Sequence, residues 1–200
     1  MSAAGTPPGP DAAWVVLESS LSAPALAAFC ADLERLYRIN PHLEFRSWTR
    51  PAPDRFRAEL FNHSNQRAAV LEGRREPLSA HAFRVRYATG IKTSTTFAIE
   101  PAAAGSRLTI TDEYAPAGEG ERPEAEVDRS LHAWGVALRA HLERDQRWGR
   151  LPLYRWWVER VWLPMTPGAR RITFLILVIA VADLLLIALA LALYAIESAR

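Results

Sequence analysis

The amino-acid sequence predicts an α+β fold, with a curved antiparallel sheet of about seven strands wrapped on a long C-terminal helix, then an interfacial helix and one transmembrane helix. Three observations support this prediction. Short segments with the period-two alternation of strands follow one another between residues 43 and 114, with turn residues between them. One amphipathic helical stretch comes next. A long apolar run then occupies residues 172–196.

Composition excludes several classes of function. The 200-residue chain can hold one domain with its own core besides the apolar run. Its basic residues are arginines except for Lys92, and because they alternate with acids, nucleic acid is not an expected partner. The single cysteine, Cys30, excludes a disulfide framework. The five histidines lack the spacing of a metal site, so we predict no metal. No GxSxG, Walker A or GxGxxG motif appears, and we predict no catalytic residue.

The first part of the chain predicts a leader, a strand and a helix. Residues 1–12 are small and rich in Pro and Gly, which is typical of a flexible leader before a domain at residues 13–148. Residues 14–20 are rich in strand formers. A helix is predicted to begin near Ser22 and Pro24, and apolar residues at helical spacing follow. It should end near Asn40, because the residue before a proline avoids the α region.

The rest of the domain predicts six strands and one long helix. The strands are expected at 43–49, 55–62, 68–75, 82–88, 93–100 and 107–114, with residues 76–79 separating the third and fourth of these. Residues 115–123 read as a loop, and an apolar stripe then predicts a helix over 123–148. Short antiparallel connections can close in one main way, in which the sheet curls around the long helix and leaves a cavity.

Side-chain alternation on the strands and the apolar stripe of the long helix select the residues that would line this cavity, either as core or as ligand contacts. They are Phe56, Leu60, Asn62, Tyr87, Phe97, Ile99, Ile110, Asp112, Tyr114, Trp134 and Leu138. Two of these candidates, Asp112 and Asn62, have polar side chains that could contact a ligand. Asp112, on an apolar face, either pairs with Arg84 or Arg86 or contacts a polar group of a ligand. Asn62 ends a strand, where it either belongs to a polar turn or binds a ligand carbonyl or hydroxyl.

Three segments of the domain resemble the START-like superfamily, also called SRPBCC or helix-grip proteins. They are the helix start at Ser22-Ala-Pro24, the step at residues 36–41 and the strand at residues 105–114. The step is similar to that of coenzyme-Q-binding members. The resemblance covers residues 12–148 and implies a helix-grip cavity for a hydrophobic small molecule such as a lipid, isoprenoid or quinone. No other cofactor is expected.

The superfamily also includes polyketide cyclases and aromatases. For that alternative the resemblance implies an acid–base pair in the cavity, for which Asp112, Tyr114 and His63 are the candidates. Their spacing is not specific, and a binding protein is the preferred interpretation over an enzyme.

The apolar run at 172–196 is long enough to cross a membrane once, leaving a short tail at 197–200. The segment before it, residues 149–171, is rich in Trp and Arg, which favour the headgroup layer. The expected membrane-interface residues are Trp148, Trp156, Trp157, Trp162, Arg170 and Arg171. We interpret residues 152–163 as a helix lying along the membrane; the alternative is a helix packed on the domain's own core.

The charges that flank the span predict its orientation. Arginines precede it and almost none follow, so the N-terminal domain should be cytoplasmic, at a cell inner membrane. Asp183 lies near the middle of the span, where a carboxylate is costly and can mark a contact with another membrane protein. A second hypothesis is therefore an adaptor that recruits a soluble protein to the membrane. The carbon-monoxide dehydrogenase family includes a component with a similar tail on a similar domain, a resemblance in architecture.

Overall fold

The computed structural model describes residues 12–115 and 124–198, and side chains from Ser130 onward in the second range. The elements are β1 (Ala12–Ser19), α1 (Ala23–Ala31), α2 (Leu33–Arg38), β2 (Leu43–Ala52), β3 (Arg55–Asn62), β4 (Arg67–Ser79), β5 (Ala82–Tyr87), β6 (Lys92–Ala102), β7 (Gly105–Tyr114), α3 (Glu124–Trp148), α4 (Pro152–Trp157), a π-helical turn (Val158–Trp162) and α5 (Pro167–Ser198). The loop predicted at 115–123 lies, apart from its first residue, outside the described residues.

All seven strands form one antiparallel sheet in the order β1-β7-β6-β5-β4-β3-β2. Strands β2 to β7 are joined as successive hairpins, whereas α1 and α2 carry the chain from β1 at one edge to β2 at the other. The predicted fold class, a seven-stranded antiparallel sheet with a long C-terminal helix, is therefore confirmed. The edge strand β1 pairs with the last strand, β7, with Val15 opposite Ile110.

Two predicted boundaries are wrong, each for a local reason. The first helix is divided at Asp32, whose Oδ1 accepts a hydrogen bond from the backbone N–H of Arg35 at 3.2 Å and so caps a new helix. Residues 76–79 do not separate two strands, because β4 continues through Pro77, which lies opposite Phe83. Because β3 pairs with β4 only as far as Arg74, β5 is the one strand partner of β4 at Pro77. A strand that is paired on one side tolerates a residue without a backbone N–H.

The core lies between the concave face of the sheet and helices α1, α2 and α3. Helix α3 buries the predicted stripe, in which Leu131, Trp134, Leu138 and Leu142 are all at most 3% exposed. Gly135 allows this helix to lie close to β1, because a Cβ at that position would be 2.6 Å from Val15 Cγ2.

Helix α4 and the π-helical turn supply one face to the same core. Val158 is buried in the core cluster, and Tyr154 and Trp157 pack against it. This is the packing that the sequence left open as an alternative. The opposite face is exposed, with Leu153 at 76% and Trp156 at 56%. The segment therefore has two apolar faces, of which the domain covers one.

The described residues from Met165 onward are a separate compact unit, formed by α5. This helix is long and apolar enough to cross a membrane, and it is the one such helix among the described residues. It begins at Pro167, where Thr166 Oγ1 accepts a hydrogen bond from the N–H of Ala169 at 3.2 Å. Asp183 is exposed in the middle of the helix.

Candidate functional site

The structure brings most of the predicted cavity residues together on the concave face of the sheet and on α3. Six of them are at most 5% exposed and belong to one core: Phe56, Phe97, Ile99, Ile110, Trp134 and Leu138. Leu60 is also buried, at 5% exposed. Tyr87 and Tyr114 are partly buried and pack against that core. Their common location is therefore established, while their contact with a ligand stays a prediction.

An aromatic cluster fills the centre of this interior. Tyr37, from α2, has its ring centroid 5.2 Å from that of Trp134, 5.7 Å from that of Phe56 and 6.1 Å from that of Trp48. The rings of Trp48 and Phe56 are stacked at 4.5 Å. Gly73 provides the room for Phe56, since a Cβ there would lie 2.5 Å from the ring. Helix α2 is thus joined to β2, β3 and α3 through one side chain.

A buried series of hydrogen-bonded side chains begins at Tyr37. The Tyr37 hydroxyl is hydrogen-bonded to that of Tyr87, which lies 2.8 Å from Thr95 Oγ1. Thr95 Oγ1 donates to Asp112 Oδ1 at 2.5 Å, and Lys92 Nζ donates to Asp112 Oδ2 at 2.5 Å. Asp112 is 1% exposed, so this carboxylate is stabilised almost entirely by protein groups.

The pairing of Asp112 corrects one expectation. Arg84 lies near Thr96 and Glu113, and Arg86 lies near Glu76, so neither arginine is the partner of the carboxylate. On an antiparallel strand, side chains alternate between faces, and both arginines are on the convex face while Asp112 is on the concave face. Lys92 reaches the carboxylate because it stands at the beginning of β6, where a register shift interrupts the ladder with β7.

The ion pair gives the hydrogen-bonded chain a direction. An ionised carboxylate only accepts hydrogen bonds, so Thr95 must donate to Asp112. Tyr87 must then donate to Thr95, and Tyr37 must donate to Tyr87. Among the described residues, no donor is then assigned to the lone pairs of the Tyr37 oxygen. Burial raises the pKa of both tyrosines above their ordinary value, so both stay protonated at neutral pH.

These two tyrosines predict a loss of stability at alkaline pH. Their pKa is higher in the folded than in the unfolded protein, so their contribution is present below about pH 10 and falls as the pH rises further. The slope is up to about 1.4 kcal/mol per pH unit for each group. Chemical unfolding followed between pH 9 and 12 should show a shallower decline for Tyr37→Phe than for the wild type. Equal declines would contradict the burial of this hydroxyl.

Sequence reasoning missed Tyr37, Thr95, Lys92 and Trp48 as parts of this site. Lys92 carried a signal, because it is the one lysine in a chain with 24 basic residues. The others carried none, since a tyrosine at helical spacing and a threonine in a strand are ordinary core residues. Trp48 is notable because its buried Nε1 has no hydrogen-bond partner among the described residues.

Comparison with solved structures identifies the fold. A START superfamily protein from Mycobacterium smegmatis superposes with a TM-score of 0.55 at 15% identity, covering 66% of this chain and 97% of that one. The Zhui aromatase/cyclase from Streptomyces gives 0.54 at 17% identity, covering 67% and 94%. The di-domain aromatase/cyclase StfQ gives 0.51 at 13% identity, covering 68% and 52%.

The domain has the START-like fold. No protein-family model and no curated protein sequence matches the chain. At these low identities the structural likeness establishes the fold and leaves the ligand to be argued from the residues.

The concave face of the START-like domain is open at the end of β3 and β4. Ala69 is exposed although it lies opposite Leu60, and Leu71, next on the same face, is only partly buried. Asn62 is also at this end. Its Oδ1 accepts hydrogen bonds from the backbone N–H and the hydroxyl of Ser64, at 2.9 and 2.7 Å, so this oxygen is used in the turn.

The acid–base candidates of the cyclase alternative are not brought together. Tyr114 lies 3.5 Å from Asp112 Oδ2. His63, however, is bonded through Nε2 to Glu44 at 2.9 Å, and it follows β3, which three strands separate from β7. Histidine, aspartate and tyrosine therefore do not form one site in the START-like domain.

A cleft of about 400 Å³ opens at the other end of the START-like domain. It lies between β1, the β6–β7 hairpin and α3, and its walls carry the ion pairs Arg107–Glu18 and Arg139–Glu143. None of the predicted cavity residues lines it, so the cleft is distinct from the predicted cavity.

The membrane-interface residues occupy several environments. Trp148 and Trp156 are half exposed, whereas Trp157 and Trp162 contact each other with centroids 5.2 Å apart. Arg170 and Arg171 lie near the start of α5. Their contact with lipid stays a prediction.

Proposed function

We propose that this protein is a membrane-anchored binding protein for a hydrophobic small molecule, such as a lipid, isoprenoid or quinone. The observation that carries the proposal is the concave face of the START-like domain, which is apolar and aromatic and is open at the Ala69 end. Apolar walls with a few polar groups are typical of sites for small molecules. The Tyr37 oxygen and the Trp48 N–H would provide such polar groups.

The membrane helix supports the same proposal. A carrier of a poorly soluble molecule benefits from a position at the bilayer, where its ligand is concentrated. We place α5 in the cell inner membrane with the domain on the cytoplasmic side, because Arg155, Arg160, Arg170 and Arg171 precede the apolar run. The exposed Leu153 and Trp156 of α4 would contact lipid headgroups.

A second candidate function is that of an adaptor or accessory subunit. Asp183 favours it, because an exposed carboxylate in the middle of a membrane helix is costly unless a partner contacts it. In that case Asp183→Leu would abolish co-purification of one stoichiometric membrane partner. A binding function for the domain does not exclude this role.

Two neighbouring alanines allow a matched test of the binding function. Ala69→Trp places a large side chain on the open concave face, while Ala68→Trp places the same bulk one residue away, on the opposite face. We expect mass spectrometry of the detergent-purified chain to find a bound lipid-like molecule in the wild type and Ala68→Trp. Its amount should fall several-fold in Ala69→Trp.

The amount of bound ligand in the wild type can also contradict the proposal. If the wild type carries no more apolar ligand than Ala69→Trp, the concave face is ordinary core. Far-ultraviolet circular dichroism of the two variants controls for misfolding.

A further inference from the structure

One guanidinium points into the START-like interior without a counter-ion in the part of the chain that the structure describes. Arg75, on β4, lies opposite Val85 and therefore on the concave face. Its guanidinium carbon is 4.6 Å from the centroid of the buried Phe83 ring. Arg75 Nε is buried and has no hydrogen-bond acceptor among the described residues. A buried donor without an acceptor is uncommon and costly.

The carboxylates near Arg75 are used elsewhere. Asp54, whose carbonyl oxygen accepts from the Arg75 N–H, pairs its carboxylate with Arg74 at 2.9 Å. Glu76 pairs with Arg86 on the convex face. Asp112 is on the concave face, but Lys92 neutralises it. Arg75 is consequently an unpaired positive charge among the described side chains of this interior.

Cys30, on α1, does not neutralise Arg75 either. Burial raises the pKa of the Cys30 thiol to about 12, although the nearby Arg75 charge acts in the opposite direction. The thiol therefore stays neutral at physiological pH. It contributes, with Phe83, to an apolar environment in which an ionic hydrogen bond to Arg75 would be strong.

We propose that Arg75 binds the oxoanion head group, a carboxylate or a phosphate, of an amphiphilic ligand whose apolar chain occupies the concave face. This assignment rests on the proposed binding function and narrows its ligand class from any hydrophobic molecule to an acid. The planar guanidinium offers two parallel N–H donors that match an oxoanion. The stacked Phe83 ring holds the plane of the fork in place.

The test compares two adjacent arginines on opposite faces of β4. Arg75→Gln removes the inward charge, and Arg74→Gln removes the same charge from the exposed face, where it pairs with Asp54. The full-length chain in phosphatidylcholine nanodiscs is dialysed against decanoate, decanol or decyl phosphate. The uptake of each probe by empty nanodiscs measures its partition into lipid alone, and this value is subtracted from the uptake by protein-containing nanodiscs.

We expect Arg75→Gln to weaken decanoate binding about tenfold or more, as for the loss of a charge-assisted hydrogen bond. Decanoate binding by Arg74→Gln and decanol binding by both variants should equal the wild type. Retained decanol binding also shows that Arg75→Gln is folded. Should that variant fail to fold, Arg75→Lys keeps the charge and is expected to lose the preference for decanoate only in part. Decyl phosphate binding that exceeds decanoate binding and depends on Arg75 would identify a phosphate head group.

Two results would overturn the assignment. One is equal decanoate binding by the wild type and Arg75→Gln, and the other is an equal loss in Arg74→Gln. If decanol still binds in either case, the proposed binding function survives and only the role of Arg75 is wrong. If none of the three probes binds above empty nanodiscs, both proposals are contradicted.

Discussion

Replacing Lys92 by methionine should lower the free energy of unfolding by about 3 kcal/mol, because it leaves a buried carboxylate without its ion-pair partner. Asp112 is 1% exposed and accepts from Lys92 Nζ at 2.5 Å. Breaking a buried ion pair from one side costs about 3–5 kcal/mol, and the partial exposure of Lys92 places the effect at the lower end. Chemical unfolding monitored by tryptophan fluorescence measures the loss.

A control variant distinguishes the loss of a buried ion pair from the loss of an exposed one. Arg86→Met is the matched control, because it removes an exposed ion pair with Glu76 and should cost at most about 0.5 kcal/mol. Equal losses of stability in Lys92→Met and Arg86→Met would show that the burial of the Asp112 carboxylate does not set the cost.

Gly105→Ala should also destabilise the domain by about 3 kcal/mol. Gly105 begins β7 with a φ of +133°, where residues with a side chain are strained. A Cβ there would also lie 2.2 Å from the carbonyl oxygen of Ser19 and 2.6 Å from Ser20 Cα. These are backbone atoms, which cannot move aside as a flexible side chain does. The edge strand β1 would have to separate from β7.

A variant at Gly90 distinguishes the cost of backbone strain from the cost of the close contact. Its φ is +100°, but a Cβ there would meet nothing within 4 Å. Gly90→Ala therefore measures backbone strain alone, which costs about 1–2 kcal/mol. In thermal unfolding, the melting temperature of Gly105→Ala should be well below that of Gly90→Ala. Equal losses would mean that the close approach to Ser19 relaxes without cost.

The order of the elements could be predicted from local patterns. Period-two alternation located β2 to β7, because each strand has one face in the core and one in solvent. The stripe on α3 and the apolar run of α5 are long enough to be unambiguous. The helix break at Asp32 and the continuation of β4 through Pro77 could not be predicted, since a cap and a strand partner depend on neighbours in space.

The candidate site was predicted less completely. Alternation placed Asp112 on the concave face, but the partner of its carboxylate depends on the register between β6 and β7. Register brought Lys92 and Thr95 to Asp112, and the α2–β5 contact brought Tyr37 to Tyr87. The cyclase candidate His63 was wrongly grouped with Asp112, because separation along the chain does not report the number of strands between two residues.

The sequence by itself determined which residues are apolar, which face of each strand is buried and where the membrane-length helix lies. Those properties follow from periodicity, which each segment carries alone. Only the tertiary structure decided which charges neutralise one another. It paired Asp112 with Lys92 and left Arg75 without a carboxylate among the described side chains. The reason is physical: an ion pair forms over a few ångströms, and curvature and register of the sheet set those distances.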